Sequence, residues 1–388
     1  MTNLPELKMN KHVNIIIAGA GGIAEAVGLI LAEHSKVSPT LFIGNRTLSK
    51  AQEVAQWIEM GTVRAKAVSA FELDVNALSE EAKAIFQQGD ILLDCLPGGL
   101  APQMARYAKN YHLHYANLTE YVDETDQILE IARDAQTGFV LQTGLAPGYI
   151  NVLANKMFQD FCLDFKVDKV DYLGFKVGAL THCAVPPHFY GFTWSPVGVS
   201  TEYIKDAIVL RNFQKTTLPS LSQKAQLRIN GILYEDDLTS GGAADLPDAL
   251  AGRVRTLEYK TLRHPGHYGW VSNQLKSISN TEDMIPALQR IMEEEIPHVE
   301  DDQIVLYAAV QGKDSSGVLR RREVSKQISP QRVGKHILRA IQATTAVPMI
   351  QSAQLVLESN LKGVVLQSQI NPDAFLNGDF VRSVYGKV

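Results

Sequence analysis

Val13-Asn14-Ile15-Ile16-Ile17-Ala18-Gly19-Ala20-Gly21-Gly22-Ile23-Ala24 is the stretch that decides the fold. Val13 and the three isoleucines are β-branched and read as a buried strand, the glycines break it, and the apolar spacing from Ile23 to His34 reads as a helix. Strand, glycine turn and helix in direct succession is the context in which G-x-G-x-x-A carries meaning. In that context Gly19 permits the tight turn, Gly21 lets the backbone approach a pyrophosphate and Ala24 keeps the helix close to the sheet. The amides that open the helix, at Gly22 and Ile23, attract the anion. The pattern predicts a dinucleotide site. The stripe Ala20, Ala24, Gly28, Ala32 is structural, a small-residue face for close helix-to-strand packing.

Outward from that turn, Thr40-Leu41-Phe42-Ile43 is a second strand closed by Gly44-Asn45-Arg46, followed by helical spacing from Ser49 to Met60. Asp90 to Leu96 reads as a buried strand ending at Pro97-Gly98-Gly99, with a helix through Lys109. Tyr115 to Leu118 and Gly138 to Gln142 are two more strands. Alternating strands and helices over about 150 residues predict right-handed crossovers and a doubly wound parallel sheet, the α/β Rossmann class. At the end of the second strand an acidic side chain ordinarily meets the ribose 2′-hydroxyl, but Asn45-Arg46-Thr47 stands there instead. Arg46 suits stacking on adenine and pairing with a 2′-phosphate, Asn45 and Thr47 donate, and Lys50 adds charge, so NADP(H) is favoured with NAD(H) possible. Ordinary solvated charges at a helix start are the bland alternative for Arg46 and Lys50. Leu96 and Pro97 end a strand where the crevice binds ligand and are expected to border the cofactor. Cys95 reads as a small buried hydrophobe.

Past Pro147-Gly148 the texture changes. Lys169 to Val177, Gln226 to Ile232 and Gln303 to Val310 alternate apolar with polar residues, as in a largely antiparallel sheet with one covered face, an α+β second domain. The expected organisation is a dinucleotide-binding domain over 1–148, a substrate and dimerisation domain over 149–336, and a segment over 337–388, helical from Ile337 to Leu357 around Pro348, that returns to the first domain. With 388 residues, 45% hydrophobic and 20% charged, the chain is globular in composition. Its net charge of −5 argues against nucleic acid as a partner. Cys95, Cys162 and Cys183 form no C-x-x-C pair, which suits a reducing compartment. The apolar run from Val13 is too short for a membrane span or a signal peptide, so a cytoplasmic location and no membrane partner are expected.

Several collinear pieces resemble the saccharopine dehydrogenase-like family, which includes saccharopine reductases and L-lysine 6-dehydrogenases. They are Gly19 to Ala24, Asp94-Cys95-Leu96-Pro97, Gly144-Leu145-Ala146-Pro147-Gly148, Phe192-Thr193-Trp194-Ser195-Pro196 with Glu202-Tyr203, Thr239-Ser240-Gly241-Gly242, and Tyr259 to His267. The resemblance implies a Rossmann domain, an α+β domain that forms a homodimer, and hydride transfer at an amino acid's C–N bond through an imine, chemistry of lysine and amino-acid metabolism. His264 and Ala116-Asn117-Leu118-Thr119-Glu120 depart from the family pattern, which leaves the substrate open beyond a small amino acid.

Hydride transfer to an imine needs a group that fixes carboxylates and a group that exchanges a proton with nitrogen. Arg263, with its fork of donors, is the first choice for the carboxylate, a structural salt bridge being the alternative. His267, after Pro265-Gly266, is the first choice for acid–base work and Glu120 the second; a core histidine and a helix-dipole carboxylate are their structural counterparts. Trp194, Ser195, Ser240 and Gly241 are expected to shape the substrate pocket. His182, Cys183, His188, His264 and His267 have ligand-like spacing, but imine reduction needs no Lewis acid and no metal is expected. No G-x-S-x-G elbow occurs. Two enzyme alternatives are an L-lysine 6-dehydrogenase and a polyamine-related carboxyamine reductase. A nucleotide-responsive binding protein is the alternative of another class.

Overall fold

The computed structural model describes residues 12–36, 39–64, 67–279, 283–359 and 361–387. The chain divides into two compact units, one of residues 1–144, 331–338 and 345–388, the other of residues 145–330 and 339–344.

The first unit is built on a sheet of seven parallel strands in the order β17-β6-β5-β4-β1-β2-β3. These are β1 (Asn14–Ala18), β2 (Thr40–Asn45), β3 (Ala67–Glu72), β4 (Ile91–Asp94), β5 (His114–Asn117), β6 (Gly138–Val140) and β17 (Gly363–Val365). The connections are α1 (Gly22–His34), α2 (Leu48–Gly61), α3 (Glu80–Gln88), α4 (Ala101–Asn110) and α5 (Val122–Ala132). β1 pairs with β2 on one side, Ile15 opposite Leu41, and with β4 on the other, Ile15 opposite Ile91. Strand order therefore reverses beside β1, and the crevice of a doubly wound sheet opens at the carboxyl ends of β1 and β4. Ile16, Leu92, Tyr115 and Phe139 are fully buried in its core, each side chain contributing about 1.5–3 kcal/mol through burial. Two strands escape a reading from sequence. β3, Ala-Val-Ser-Ala-Phe-Glu, is an edge strand with one buried side chain, and β17 has three residues, too few for any periodicity to show. The first unit also contains the hairpin β15 (Gln331–Val333) and β16 (His336–Leu338), and α12 (Pro372–Leu376) and α13 (Asp379–Tyr385).

The second unit is built on a mixed sheet in the order β10-β11-β12-β7-β13-β14, with β8 paired to β12 and β9 to β8. The strands are β7 (Val170–Thr181), β8 (Ala207–Arg211), β9 (Gln214–Leu218), β10 (Ala225–Ile229), β11 (Ile232–Leu238), β12 (Val254–Arg263), β13 (Asp302–Lys313) and β14 (Leu319–Ile328). β7 and β12 run parallel; the other pairs are antiparallel. The run Gln226 to Ile232, expected as one strand, is a hairpin corner. Asn230 and Gly231 both take positive φ, 50° and 85°, the Asn-Gly geometry whose twist suits two-residue hairpins. Helix α6 (Tyr149–Phe165) packs on β7 and β13. Helices α7 (Pro196–Ile204), α9 (His267–Ser277) and α10 (Met284–Glu295) enclose an aromatic cluster of Tyr190, Phe192, Tyr203, Tyr268 and Trp270, and α8 (Leu246–Ala249) is a single turn. Helix α11 (Ala340–Ser359) runs through Pro348, as its reading from Ile337 to Leu357 expects, but starts three residues later, because Ile337 and Leu338 belong to β16. Both carboxylate oxygens of Asp302 accept amides at its start, Ala340 N and Ile341 N, each at 2.7 Å. That cap satisfies two of the donors that a helix leaves unpaired.

Candidate functional site

In the first unit the turn after β1 is set by backbone conformation and close approach. Gly19 has φ +117°, its amide donates to Gly44 O at 2.7 Å, and a Cβ there would lie 3.0 Å from Cys95 O. A side chain is excluded on both counts. Gly21 is the N-cap of α1; it is exposed, no side chain caps the helix, and nothing lies within 4 Å of where its Cβ would be. The first i→i−4 bond is Glu25 N to Gly21 O, so the Ile23 and Ala24 amides precede the helical ladder. Ala24 is fully buried, which keeps the helix against its neighbours. An uncapped helix start, an open face over Gly21 and the macrodipole behind them form a cradle that fits a pyrophosphate.

The carboxyl end of β2 adds the second part. Asn45 is half-buried and its Nδ2 donates to Thr47 O at 3.2 Å; Arg46, Thr47 and Lys50 are exposed. Thr47 is the N-cap of α2 without a side-chain cap, and no acidic residue sits in the first turn. Two cations beside an uncapped helix start fit a 2′-phosphate. Leu96 is half-buried and Pro97 exposed on the loop after β4. Glu120 is half-buried on the loop between β5 and α5, two residues before that helix begins.

In the second unit Arg263 and His267 meet through a residue that reading for single motifs passed over. Arg263 closes β12 and is 1% exposed; its Nε donates to the Tyr203 hydroxyl at 2.6 Å, one terminal nitrogen to Glu202 Oε1 at 2.9 Å and the other to Leu262 O at 3.0 Å. Its guanidinium also lies over the Tyr190 ring, 4.8 Å from the centroid. His267 is fully buried at the start of α9, with Nδ1 2.7 Å from His188 O and Nε2 3.0 Å from the Tyr203 hydroxyl. Nδ1 therefore carries the hydrogen and donates to the carbonyl, and Nε2 accepts from Tyr203, which in turn accepts from Arg263. Burial, and next the nearby guanidinium, hold the imidazole down at about 3. Burial pushes the Glu202 carboxyl up to about 7 while Arg263 pulls it the other way. The result is a chain, Glu202, Arg263, Tyr203, His267, with a buried neutral imidazole at one end and a half-buried, titrating carboxyl at the other.

The remaining sequence candidates of this unit surround that chain. Ser195 is the N-cap of α7, accepting from Gly198 N at 3.4 Å, and Trp194 packs half-buried on the aromatic cluster. Ser240 N donates to Glu202 O at 2.9 Å, and Gly241 turns at φ +86° before Gly242, whose carbonyl accepts from Asn151 Nδ2 at 3.0 Å. The histidines with ligand-like spacing have separate engagements: His182 with Asp301 at 2.6 Å, and His264 with Thr181 O at 3.0 Å. Sequence reasoning missed Tyr203 and Glu202 as site residues. The available signal was position: they follow the Ser195-Pro196 helix start by seven and eight residues, two turns into the same helix.

A parallel sheet with a glycine cradle at its switch point is the architecture of a dinucleotide-binding unit, and the second unit adds a mixed sheet carrying a cation–imidazole chain. Residues 15–141 match the family model described as saccharopine dehydrogenase NADP binding domain, and residues 144–383 match the saccharopine dehydrogenase C-terminal domain. The chain belongs to the saccharopine dehydrogenase family, NAD(P)-dependent oxidoreductases acting on CH–NH groups. It is 25% identical over 211 residues to the alpha-aminoadipic semialdehyde synthase of Arabidopsis thaliana, covering 49% of this chain and 19% of that one. To the mitochondrial enzyme of the same name from Bos taurus it is 21% identical over 295 residues, 73% of this chain and 30% of that one. The chain thus spans less than a third of either relative. Among solved structures, the apo saccharopine dehydrogenase (L-Glu forming) of Saccharomyces cerevisiae shares the fold with TM-score 0.75 at 15% identity, covering 96% and 98% of the two chains. The homospermidine synthase of Legionella pneumophila, solved with NAD, does so with TM-score 0.70 at 14% identity, covering 97% and 90%. Among the described residues no helix is long and apolar enough to cross a membrane.

Proposed function

We propose that this chain is an NADP(H)-preferring oxidoreductase that interconverts an amine of a small amino acid with its imine. The observation that carries the proposal is the cradle Gly19 to Ala24 together with the cationic, acid-free start of α2 at Arg46 and Lys50. A dinucleotide bound there supplies or accepts the hydride. The chain's own residues bind, orient and handle protons. Gly19, Gly21, Gly22, Ile23 and Ala24 take the pyrophosphate; Asn45, Arg46, Thr47 and Lys50 take the adenosine end; Leu96 and Pro97 border the cofactor.

In the second unit Arg263 fixes Tyr203 and, through it, the tautomer of His267, while Trp194, Ser195, Ser240 and Gly241 shape the amino-acid pocket. Glu120 is the second acid–base candidate. With its imidazole held at about 3, His267 works as a neutral acceptor at physiological pH, and Glu202 at about 7 is the group poised to exchange a proton. The cytoplasm is the compartment of this reading and a homodimer through the second unit its assembly.

One observation favours a second reading, a nucleotide-responsive binding protein: Arg263 and His267 are at most 1% exposed, and their nitrogens already have partners inside the chain. The deciding experiment titrates the protein with NADPH and NADH and follows nicotinamide absorbance with saccharopine, lysine and aldehyde–amino acid pairs. Turnover with any of them supports the enzyme; NADPH binding with no turnover across the panel supports the binding protein.

A further inference from the structure

The carboxyl end of β4 carries a buried acid used neither by the glycine turn nor by the relay of the second unit. Asp94 is 2% exposed and sits in the sheet between Ala18 of β1 and Asn117 of β5. One carboxylate oxygen accepts the Leu96 amide at 3.0 Å, which fixes the loop that leads into Pro97. The other accepts the Tyr115 hydroxyl at 2.7 Å. The same hydroxyl lies 3.3 Å from the carbonyl of Ala101, the first residue of α4. The acid therefore ties the loop after β4 to β5, and through Tyr115 to the start of the next helix.

This geometry accepts a proton without losing a bond. With Asp94 ionised, Tyr115 donates to it. With Asp94 neutral, its own hydroxyl donates to the Tyr115 oxygen, and the tyrosine hydrogen turns to the Ala101 carbonyl. The Leu96 amide keeps its acceptor in both states. Among the described residues, the titratable groups facing the carboxyl are Cys95, next to it in the chain, and Tyr115 on β5; β1 presents Ala18, the turn after it Gly19, and α4 Ala101, and none of these three ionises. Burial keeps the thiol and the phenol neutral and raises Asp94 to about 6. Among the described residues, no cation stands with the groups acting on Asp94 to hold it ionised when negative charge arrives.

We propose that Asp94 is a proton-coupled positioning residue of the cofactor site: when the polyanionic dinucleotide binds, the Asp94 carboxylate takes up a proton from solvent, and the Tyr115 hydroxyl moves from Asp94 to Ala101. The proposal rests on the assignment of the dinucleotide to the first unit. It deepens that assignment by adding a titrating group to it. By linkage, the affinity for dinucleotide rises as the pH falls through the range in which Asp94 titrates.

The test is calorimetric titration of the protein with NADPH in two buffers of different ionisation enthalpy, from pH 5 to pH 8, for the wild type, Asp94→Asn and Tyr115→Phe. The 2′-phosphate titrates in the same range but identically in all three proteins, so the difference between them isolates the acid. The wild type is expected to take up more protons per NADPH than Asp94→Asn near pH 6–7. Its affinity should fall about tenfold more than that of the variant between pH 5 and pH 8, through the proton that binding adds at Asp94. Tyr115→Phe, which removes a bond to the ionised form, should move the uptake to higher pH, and it carries the test if Asp94→Asn does not fold. A structural role alone would shift affinities and leave the proton count unchanged. Equal uptake in the wild type and Asp94→Asn, or an unmoved profile in Tyr115→Phe, overturns the proposal while the cofactor assignment stands. No NADPH binding by the wild type overturns both.

Discussion

Replacing His267 with Gln tests the relay through its pH dependence. The native imidazole is fully buried, bonded at both nitrogens, and held at about 3 against an ordinary 6.5. For a base whose folded value is depressed, the unfolded chain binds the proton that the native chain refuses, so stability is complete above the unfolded value and is lost as the pH falls through it. Between pH 8 and pH 5 the loss from this one group is about 2 kcal/mol. Glu202 runs the other way. Its folded value of about 7 lies above the ordinary 4.5, so its contribution is present at low pH and is lost as the pH rises through 7. The two slopes oppose each other, and the wild type alone is uninformative. The difference between wild type and His267→Gln removes Glu202 from the comparison. Urea unfolding followed by tryptophan fluorescence reports on the right unit, because the Trp270 ring lies 6.1 Å from the imidazole. The variant is expected to be the less stable at pH 8, and the gap to close by about 2 kcal/mol at pH 5. A gap that stays constant between the two pH values would refute a buried neutral imidazole.

Arg46→Ala should weaken NADPH binding by about 10- to 100-fold, the range of a charge-assisted hydrogen bond to phosphate, and leave NADH binding unchanged; equal losses in fluorescence titrations would remove the 2′-phosphate assignment. Gly21→Ala places a methyl where nothing lies within 4 Å, at a φ of −103° that alanine accepts, so the melting temperature should hold while NADPH affinity drops about tenfold or more through obstruction of the phosphate approach. A lowered melting temperature with intact binding would mean that the glycine serves the fold. Asp236 bridges two buried lysines, Lys176 at 2.5 Å and Lys260 at 2.9 Å, so Asp236→Asn removes the carboxylate that both ammonium groups share and should cost about 3–5 kcal/mol in urea unfolding. A variant as stable as the wild type would show that the carboxylate does not stabilise the two lysines.

The parts of the molecule legible in its sequence are those governed by local chemistry. Val13 to Ala24 announces itself because strand, turn and helix each leave a different periodicity within twelve residues, and Gly19 stands where conformation and space demand it. β7 and β13 show as alternation over nine and eight residues, Lys169 to Val177 and Gln303 to Val310. β17 shows nothing, because a three-residue strand is defined by its neighbour β6 and not by its own composition. The Asn230-Gly231 corner was readable in principle; apolar residues on both sides of it masked a turn as one continuous strand. Pro348 did not hide its helix, since the apolar residues on both sides of it continue one helical pattern and α11 carries the proline inside. The relay was half legible. Arg263 and His267 stand out as residue types, but what they do depends on Tyr203, sixty residues upstream of the arginine, and that pairing exists only once α7 lies beside the end of β12.

That dependence changes where a proton can reside. Read as a lone side chain on a rigid loop, His267 is a general acid near neutral pH; read in place, it accepts from Tyr203 and donates to a carbonyl, and a second proton would have to enter a site already occupied by a guanidinium. The charge that can change at physiological pH is at the opposite end, on Glu202, where loss or gain of a proton switches the Glu202–Arg263 pair between neutral overall and singly positive. A positive pair strengthens the pull of Arg263 on the Tyr203 oxygen, makes the phenolic hydrogen a better donor to His267, and tightens the chain without ionising its imidazole. The acid–base capacity of this unit therefore follows from the carboxylate paired with the arginine, and a pH profile of turnover that tracked His267 instead would require the imidazole to leave its present partners before chemistry begins.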